Sequence, residues 1–292
     1  MVINKHSSFY MRSGWGTKII DAVSDYPEIF SPSNEQVAID RIGLGRIMIK
    51  ALRYWAGAMG LCTEKKGSSG IKLCPTEEFE AIEKYDKYFQ RNDSLLLMHR
   101  NLAKNMNEAT AWYWLFNEWK GDVIDKELFV NSFHPYLSIN GMSVKQKAVE
   151  KEFNCLKNTY LTERTFDLQT IMDEDTYPFL GPLHLLQQDG KRIKKRHLSK
   201  KDISAEILIY AIAKDNMEND SIKGRQISID RLAEDKGQVG RYFSLSYSKL
   251  IEILLEAENK GYIRLYNNFG NRFVEFSDVN SRKLINRLYE SR

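Results

Sequence analysis

The sequence predicts a mainly α-helical protein with small β-hairpins (an α+β fold), built as tandem winged-helix-like units, of which the C-terminal one is clearest. Two observations predict this fold class. Apolar residues recur with the 3.6-residue period of helices along most of the 292 residues. A turn-rich tip also follows a helical pattern twice, near residue 67 and near residue 269.

The first long helix is predicted over residues 42–61, and Gly60 is expected to end it because glycine commonly terminates helices. The turn-rich sequence EKKGSSG and then IKLCP follow. A helix followed by a hairpin is the outline of a winged helix. One broad apolar stripe supports the helix, formed by Leu44, Ile47, Met48, Ala51, Leu52, Trp55 and Met59.

Residues 93–119 predict one or two further helices, with Asp93 or Ser94 as the N-cap. Another helix pair is predicted over 125–136 and 143–160, on either side of the turn sequence SINGM. The aromatic side chains near residue 115 favour buried packing over a platform for base stacking. These side chains are Trp112, Tyr113, Trp114, Phe116 and Trp119.

The C-terminal part predicts three helices, over 202–214, 228–234 and 246–259, and then a hairpin around Asn-Asn-Phe-Gly-Asn. This order is typical of a winged helix-turn-helix. Before it, a segment with two prolines and two glycines leads into a basic run, which places a boundary near residues 190–200. The predicted domains are a DNA-engaging helical domain (1–120), a helical middle segment with a linker (121–189) and the C-terminal winged helix (190–292).

Composition excludes several classes of protein. Hydrophobic residues make up 42% of the chain, which is enough for packed cores and excludes wholesale disorder. The three cysteines form no C-x-x-C pair, so neither a zinc site nor a disulfide framework is expected. The sequence shows no signal-peptide pattern and no long apolar run, so we expect a cytoplasmic protein. The net charge of +4 is too small by itself to indicate nucleic-acid binding.

One predicted helix carries a cationic row. Arg46, Lys50 and Arg53 fall within about 60° of one another on a helical wheel, opposite the apolar stripe. Like charges at this spacing repel by roughly 0.2–0.5 kcal/mol per pair, and phosphates would relieve that repulsion. Periodicity alone leaves two interpretations open: a solvated helix face, or a helix that grips a polyanion.

Two further clusters of basic residues are also compatible with either DNA binding or another role. Lys249, Arg264 and Arg272 in the C-terminal unit suit DNA, but three glutamates on the same predicted helix (Glu252, Glu256 and Glu258) favour a protein contact. The basic run at residues 191–201 fits either a solvated linker or a mobile cationic arm. Its first members are Lys191, Arg192, Lys194, Lys195 and Arg196.

Common catalytic motifs are missing from the sequence, which has no Walker A, G-x-S-x-G or H-E-x-x-H pattern. His99 lies in the apolar pattern LLLMHRNLA, where a buried, hydrogen-bonded histidine is the default interpretation. Asp86 and Asp93 flank this region. They could bind a divalent metal, although carboxylates in charged loops are usually solvated.

Several blocks of the sequence together resemble a bacterial family of unknown function, number four thousand and seven in its series of domains. The family includes the B component, a DNA nickase, of the Ssp system for single-strand DNA phosphorothioation. The resemblance runs over nearly the whole chain. In order, the blocks are FYMRSGWGTK, GLGRIMIKALRYWAGAMGL, YDKYFQRNDSLLLMHRNLA, TAWYWLFNEW, EFNCLKNTY, PFLGPLHLL and DKGQVGRYFSLSYSKL.

The resemblance implies DNA binding and strand nicking within a phage-defence system, so that sulfur can replace a non-bridging phosphate oxygen. It also implies partners besides DNA, namely a cysteine desulfurase, a PAPS-reductase-like sulfur-transfer protein and an ATPase. Carried over to this sequence, the resemblance implies functional roles for the cationic row and for His99. It also implies four further DNA-binding residues: Arg12, Trp15, Tyr54 and Arg100.

Phosphodiester cleavage needs a metal or an activated nucleophile. The sequence offers one assembly, with His99 as general base and Asp86 or Asp93 as a ligand of Mg²⁺ or Mn²⁺. The alternatives are a winged-helix adaptor without catalytic activity, which would need no cofactor, and a transcriptional regulator that uses the C-terminal wing. A homodimer is left open, and no membrane partner is expected.

Overall fold

The computed structural model describes residues 1–67, 70–161, 177–218, 222, 224–268, 271–276 and 280–290. The chain forms two compact units. The first unit comprises Met1–Trp114 and Gly121–Lys195, and the second comprises Leu115–Lys120 and Arg196–Arg292. The three-domain division stays a prediction. Over the described ranges, no helix is long and apolar enough to cross a membrane.

The first half of the first unit is helical and ends in a hairpin followed by a helix. The elements are α1 (Trp15–Asp25), a 3-10 turn (Pro32–Asn34), α2 (Glu35–Ile42), α3 (Arg46–Ala58), β1 (Cys62–Gly67), β2 (Gly70–Pro75) and α4 (Glu77–Tyr85). The predicted hairpin is confirmed, since β1 and β2 pair antiparallel from Cys62↔Pro75 to Gly67↔Gly70. Its tip at residues 68–69 lies outside the described residues.

The predicted helix over 42–61 is wrong at its start. Ile42 ends α2, and Gly43 follows with a φ of +71°, a left-handed conformation that glycine adopts without steric cost. A new helix, α3, then begins at Arg46. The cationic row is therefore on a shorter helix, with Arg46 as its first residue.

The remainder of the first unit packs helices beside a small antiparallel sheet of order β3-β5-β4. Its elements, including the turn that leads into the second unit, are α5 (Asn92–Lys104), α6 (Thr110–Tyr113), a π-helical turn (Trp114–Glu118), β3 (Val123–Ile124), α7 (Lys126–Ile139), α8 (Gln146–Tyr160), a 3-10 turn (Gly181–Leu183), β4 (Leu186–Asp189) and β5 (Arg192–Lys195).

Two details differ from the sequence-based expectation. The N-cap of α5 is Arg91, whereas Asp93 and Ser94 lie inside the first turn. The basic run was expected to be a linker or arm, but Arg192–Lys195 is the central strand of the sheet. The part of the predicted linker before residue 177 lies outside the described residues. The aromatic residues Trp112, Trp114 and Phe116 are buried, which confirms their role in packing.

The second unit contains the predicted helices and hairpin, which are confirmed. Its strands form an antiparallel sheet of order β6-β8-β7, and Ser246 caps α12 by accepting a hydrogen bond from the Lys249 amide. The elements are α9 (Ala205–Asn216), β6 (Gln226–Ser228), α10 (Ile229–Glu234), α11 (Val239–Tyr242), α12 (Tyr247–Asn259), β7 (Ile263–Asn268), β8 (Asn271–Phe276) and α13 (Ser281–Glu290).

Gly240 in α11 packs directly against the backbone of Ala233, whose Cα would lie 2.6 Å from an added Cβ. Backbone cannot swing aside as a side chain does, so Gly240→Ala should lower the free energy of unfolding by about 2 kcal/mol. Thermal unfolding measures this. Gly57→Ala in α3 is the control. An added Cβ there meets nothing within 4 Å, so the variant should gain about 0.5–1 kcal/mol. A Gly240→Ala melt equal to that of wild type would contradict the packing.

Candidate functional sites

The cationic row on α3 lies at the surface of the first unit, with Arg46 and Lys50 exposed and Arg53 half-buried, and it has acidic partners from neighbouring elements. Arg46 Nε lies 2.6 Å from Glu35 Oε1 on α2, and Arg53 Nη2 lies 2.6 Å from Glu64 Oε2 on β1. Lys50 is exposed between the two arginines. The glutamates relieve the repulsion that the helix sequence alone suggests, and exposed pairs of this kind contribute little stability.

The β1–β2 hairpin extends this surface. The sequence predicted the hairpin, but not that its lysines would lie beside the cationic row. The Arg53–Glu64 pair joins α3 to β1. On the hairpin, the exposed Lys65 stands directly opposite Lys72, an arrangement of like charges that costs stability. We define the cationic surface as Arg46, Lys50, Arg53, Lys65, Lys66 and Lys72. The adjacent lysines of EKKG were the available sequence signal.

Two other predicted DNA contacts have structural partners. The Tyr54 hydroxyl donates to the Glu108 carbonyl oxygen at 2.8 Å, and burial, followed by nearby Glu152, raises the pKa of Tyr54 well above its usual value. Arg100 is buried on α5, where its Nη1 donates to Asn101 Oδ1 at 2.7 Å. Their role in DNA binding stays a prediction.

The basic strand β5 alternates in exposure. Arg192 and Lys194 are exposed, as is the preceding Lys191, whereas Lys195 is buried. Arg192 Nε is 4.0 Å from Asp125 Oδ2. In the second unit, Arg196 pairs with Asp202 at 2.8 Å. The run therefore supplies exposed cations from a fixed strand in the first unit.

The second unit presents the other predicted DNA contacts beside carboxylates. Lys249 on α12 pairs with Glu252 at 2.8 Å, while Arg264 on β7 and Arg272 on β8 are exposed. Glu258 is engaged within the unit, because its Oε1 accepts a hydrogen bond from the Leu265 amide at 2.7 Å. Both alternatives for this unit, DNA binding and protein contact, remain predictions.

A cavity of about 920 Å³ opens in the first unit. Four segments far apart in sequence form its walls. They are the start of α1 with Ser13, Gly14 and Thr17; the turn before α5 with Tyr88 and Phe89; the end of α8 with Lys157 and Tyr160; and the segment from Tyr177 to Gln188. Four of the blocks that carry the family resemblance contribute residues to these walls.

His99 is fully buried. It contacts Tyr160, a side chain of the cavity wall. Its Nδ1 is 2.8 Å from the hydroxyl oxygen of Tyr160, which lines the cavity. Burial raises the pKa of Tyr160 well above its usual value, so the phenol stays protonated at neutral pH. His99 therefore contacts a wall residue, and its predicted role as general base stays a prediction.

Asp86 organises the turn that carries Tyr88 and Phe89. Its carboxylate accepts hydrogen bonds from the amide of Gln90 at 2.9 Å and the amide of Arg91 at 3.1 Å. It also accepts one from the Ser94 hydroxyl at 2.6 Å. These bonds satisfy donors at the start of α5, which is a common use of aspartate.

The predicted metal ligands do not fit a magnesium site. Both oxygens of Asp86 already accept hydrogen bonds, and Asp93 Oδ2 pairs with Arg91 Nη2 at 3.1 Å. Throughout the described part of the chain, no group of three or more His, Cys, Asp or Glu side chains could hold a metal ion.

The N-terminal residues Arg12 and Trp15 pack behind the same cavity. The Arg12 guanidinium carbon lies 5.3 Å from the ring centroid of Tyr10 and 5.6 Å from that of Trp15, which is fully buried. Arg12 also forms a backbone bridge with Pro178 in the adjoining wall. These contacts fix the cavity's N-terminal wall, and DNA binding by the two residues stays a prediction.

Comparisons with known proteins agree with this architecture. A family model described as "Protein of unknown function (DUF4007)" matches residues 3–289. Two solved structures are similar, "SspB crystal structure" at 22% identity and "Magnesium ion-bound SspB crystal structure" at 21%, each with a TM-score of 0.83. Each comparison covers 99% of this chain and 87% of the other. At such identity the likeness shows the fold alone. No curated protein sequence matches the chain.

Proposed function

Because this chain belongs to the DUF4007 family, as its sequence blocks predict, we propose that it is the DNA-binding component of a bacterial DNA phosphorothioate modification and phage-defence system. In this role it nicks one strand so that sulfur can enter a non-bridging position. The observation that carries DNA binding is the cationic surface on α3 and the β1–β2 hairpin. The fold shared with the SspB structures supports the same assignment.

The cationic row suits a phosphate backbone in length and chemistry. From Arg46 to Arg53 the helix rises about 10 Å, which equals roughly three phosphates along one strand. Glu35 and Glu64 hold the two arginines in exposed pairs, and exchanging such a carboxylate for a phosphate costs little. Lys50 lies between them and adds a point charge.

A winged-helix arrangement is part of the proposal. In the second unit, α9, α10 and α12 precede the β7–β8 hairpin, and β6 adds the third strand of the sheet. In the first unit, α3 precedes the β1–β2 hairpin. Lys249, Arg264 and Arg272 would then contact DNA from the recognition helix and wing of the second unit.

The proposed setting follows from the same family membership. The chain would act in the cytoplasm with DNA, a cysteine desulfurase, a PAPS-reductase-like sulfur-transfer protein and an ATPase, and as a homodimer if two copies share a site. Nicking would use Mg²⁺ or Mn²⁺, with ligands other than the engaged carboxylates of Asp86 and Asp93.

A second candidate is a winged-helix adaptor that holds the system on DNA without cutting it, or that reads an operator as a regulator. The hydrogen bonds to Asp86 and the pairing of Asp93 with Arg91 favour this candidate, because they assign structural roles to both predicted metal ligands.

Salt dependence tests DNA binding. Three phosphate contacts by the cationic row predict that duplex affinity falls by about 40-fold between roughly 50 mM and 200 mM salt. Fluorescence anisotropy with a labelled duplex of random sequence measures this. An affinity independent of salt would contradict a phosphate-gripping surface, and strong preference for one sequence over random competitor would favour the regulator.

Incubation with supercoiled plasmid and Mg²⁺ or Mn²⁺ separates nickase from adaptor. Open-circular product that is lost in His99→Ala supports nicking with His99 as the general base. Plasmid that is bound but stays supercoiled supports the adaptor. Because His99 is fully buried, a thermal melt of the variant must show that it is folded.

A further inference from the structure

The cavity in the first unit combines aromatic rings with basic side chains. Tyr88 and Tyr177 line it with exposed side chains, at 69% and 49% exposure. Lys157 and His184 also line it, and the described lining residues include no aspartate or glutamate. Such a lining suits a ligand that has both a flat aromatic part and a negative charge.

The start of α1 adds positive potential to this wall. α1 is 11 residues long, and its N-cap Gly14 contributes no side-chain hydrogen bond to the helix. Within the described first turn, no acidic residue offsets the amide dipoles either. Ser13, Gly14 and Thr17 bring this helix end to the cavity, where the helix dipole favours an anion although the amides of Ser13 and Trp15 already donate to carbonyl oxygens.

The walls are preformed and carry backbone strain. Phe89 and His184 have φ angles of +52° and +50°, left-handed conformations that side chains rarely adopt. The rings of Phe89 and Phe179 pack directly against Gly16, where there is no side chain. A Cβ added to Gly16 would lie 2.5 Å from the Phe89 ring and 2.9 Å from the Phe179 ring. Strained residues persist where packing fixes them, and they concentrate at ligand sites.

We propose that this cavity binds a nucleotide, with the base against the rings of Tyr88 and Tyr177. The phosphate would lie at the start of α1, beside Lys157. A volume of about 920 Å³ is within the range of ligand pockets. The nucleotide is free or belongs to a DNA strand, and only the strand-bound form rests on the proposed function.

Ser13 provides a charge test that leaves α1 intact. Ser13→Asp places a carboxylate beside the helix start, which favours the helix but repels a phosphate. Ser13→Asn has the same shape without the charge. Tyr88→Ala removes a stacking ring, and Tyr88→Phe retains it. Ile139→Ala truncates an exposed apolar side chain on α7, outside the cavity lining.

The probes are 2-aminopurine riboside 5′-monophosphate and a short single strand that contains one 2-aminopurine. Stacking on tyrosine should quench the fluorescence of either probe. We expect Ser13→Asp and Tyr88→Ala to raise the Kd about tenfold. Ser13→Asn, Tyr88→Phe and Ile139→Ala should stay close to wild type. Thermal melts confirm that every variant is folded.

The outcomes separate this proposal from the proposed function. Quenching of the strand alone supports the strand as the source, and quenching of the monophosphate supports a free nucleotide. The Arg46→Glu/Lys50→Glu variant should still quench the monophosphate even where it loses duplex binding. Two results overturn the proposal: no quenching of either probe by wild type, or equal quenching by Ser13→Asp and Ser13→Asn. Duplex binding that survives in these cases leaves the proposed function standing.

Discussion

Reversing two charges on α3 is expected to abolish duplex binding. Arg46→Glu/Lys50→Glu turns two cations of the cationic surface into anions, so each lost phosphate contact is replaced by repulsion. We expect the affinity to fall at least about 100-fold at low salt, and the salt dependence of what remains to weaken. Fluorescence anisotropy with a labelled duplex of random sequence measures both effects.

The matched control is Lys147→Glu/Lys151→Glu on α8. This pair has the same four-residue spacing, is exposed, and changes the net charge of the protein by the same amount. Glutamate at Arg46 also suits the first position of α3, so the test variant should fold. An equal loss in both variants would attribute the effect to net charge, and unchanged binding by the test variant would remove α3 from the interface.

The sequence predicted α3 only in part, for a physical reason. The 3.6-residue spacing of its apolar residues and the glycine after its last turn are local signals, so the helix itself was predicted. Its acidic partners, Glu35 and Glu64, come from α2 and β1 and lie 11 residues from the arginines they contact. A helical wheel of α3 alone therefore overstates the repulsion within the row.

The second unit was predicted well because its signals are local. Ser246 caps α12, and the turn sequence between β7 and β8 is typical of hairpins. Strand β5 was mistaken for a linker for the opposite reason. Ile193 is its one apolar residue, so the strand lacks the apolar alternation that indicates a β-strand. It pairs with β4 across the two-residue turn at Gly190 and with β3 about 70 residues earlier.

The cavity could not be predicted, although each of its walls includes residues of a block that carries the family resemblance. Which blocks meet depends on the packing of α1, α5 and α8, and no periodicity encodes that packing. The same packing changes the interpretation of His99. The sequence suggested a general base, and the structure places His99 behind Tyr160, so any substrate in the cavity meets the tyrosine first.

Asp86→Ala should lower the free energy of unfolding by about 2–3 kcal/mol, because two partly buried amides and a buried hydroxyl lose their acceptor together. Urea denaturation measures this. Asp21→Ala is the control, since Asp21 forms an exposed pair with Lys87 beside the same turn. Its unfolding curve should stay close to that of wild type.

Magnesium turns the same experiment into a test of what Asp86 does. A metal ligand would make wild type more stable in millimolar Mg²⁺ and leave Asp86→Ala unchanged, because binding to the native state adds to its stability. A capping carboxylate predicts equal curves with and without the ion for each protein. We expect the second result. A magnesium-dependent gain confined to wild type would return Asp86 to the metal site that the sequence suggested. With the capping result, the carboxylate instead keeps Tyr88 and Phe89 at the cavity wall.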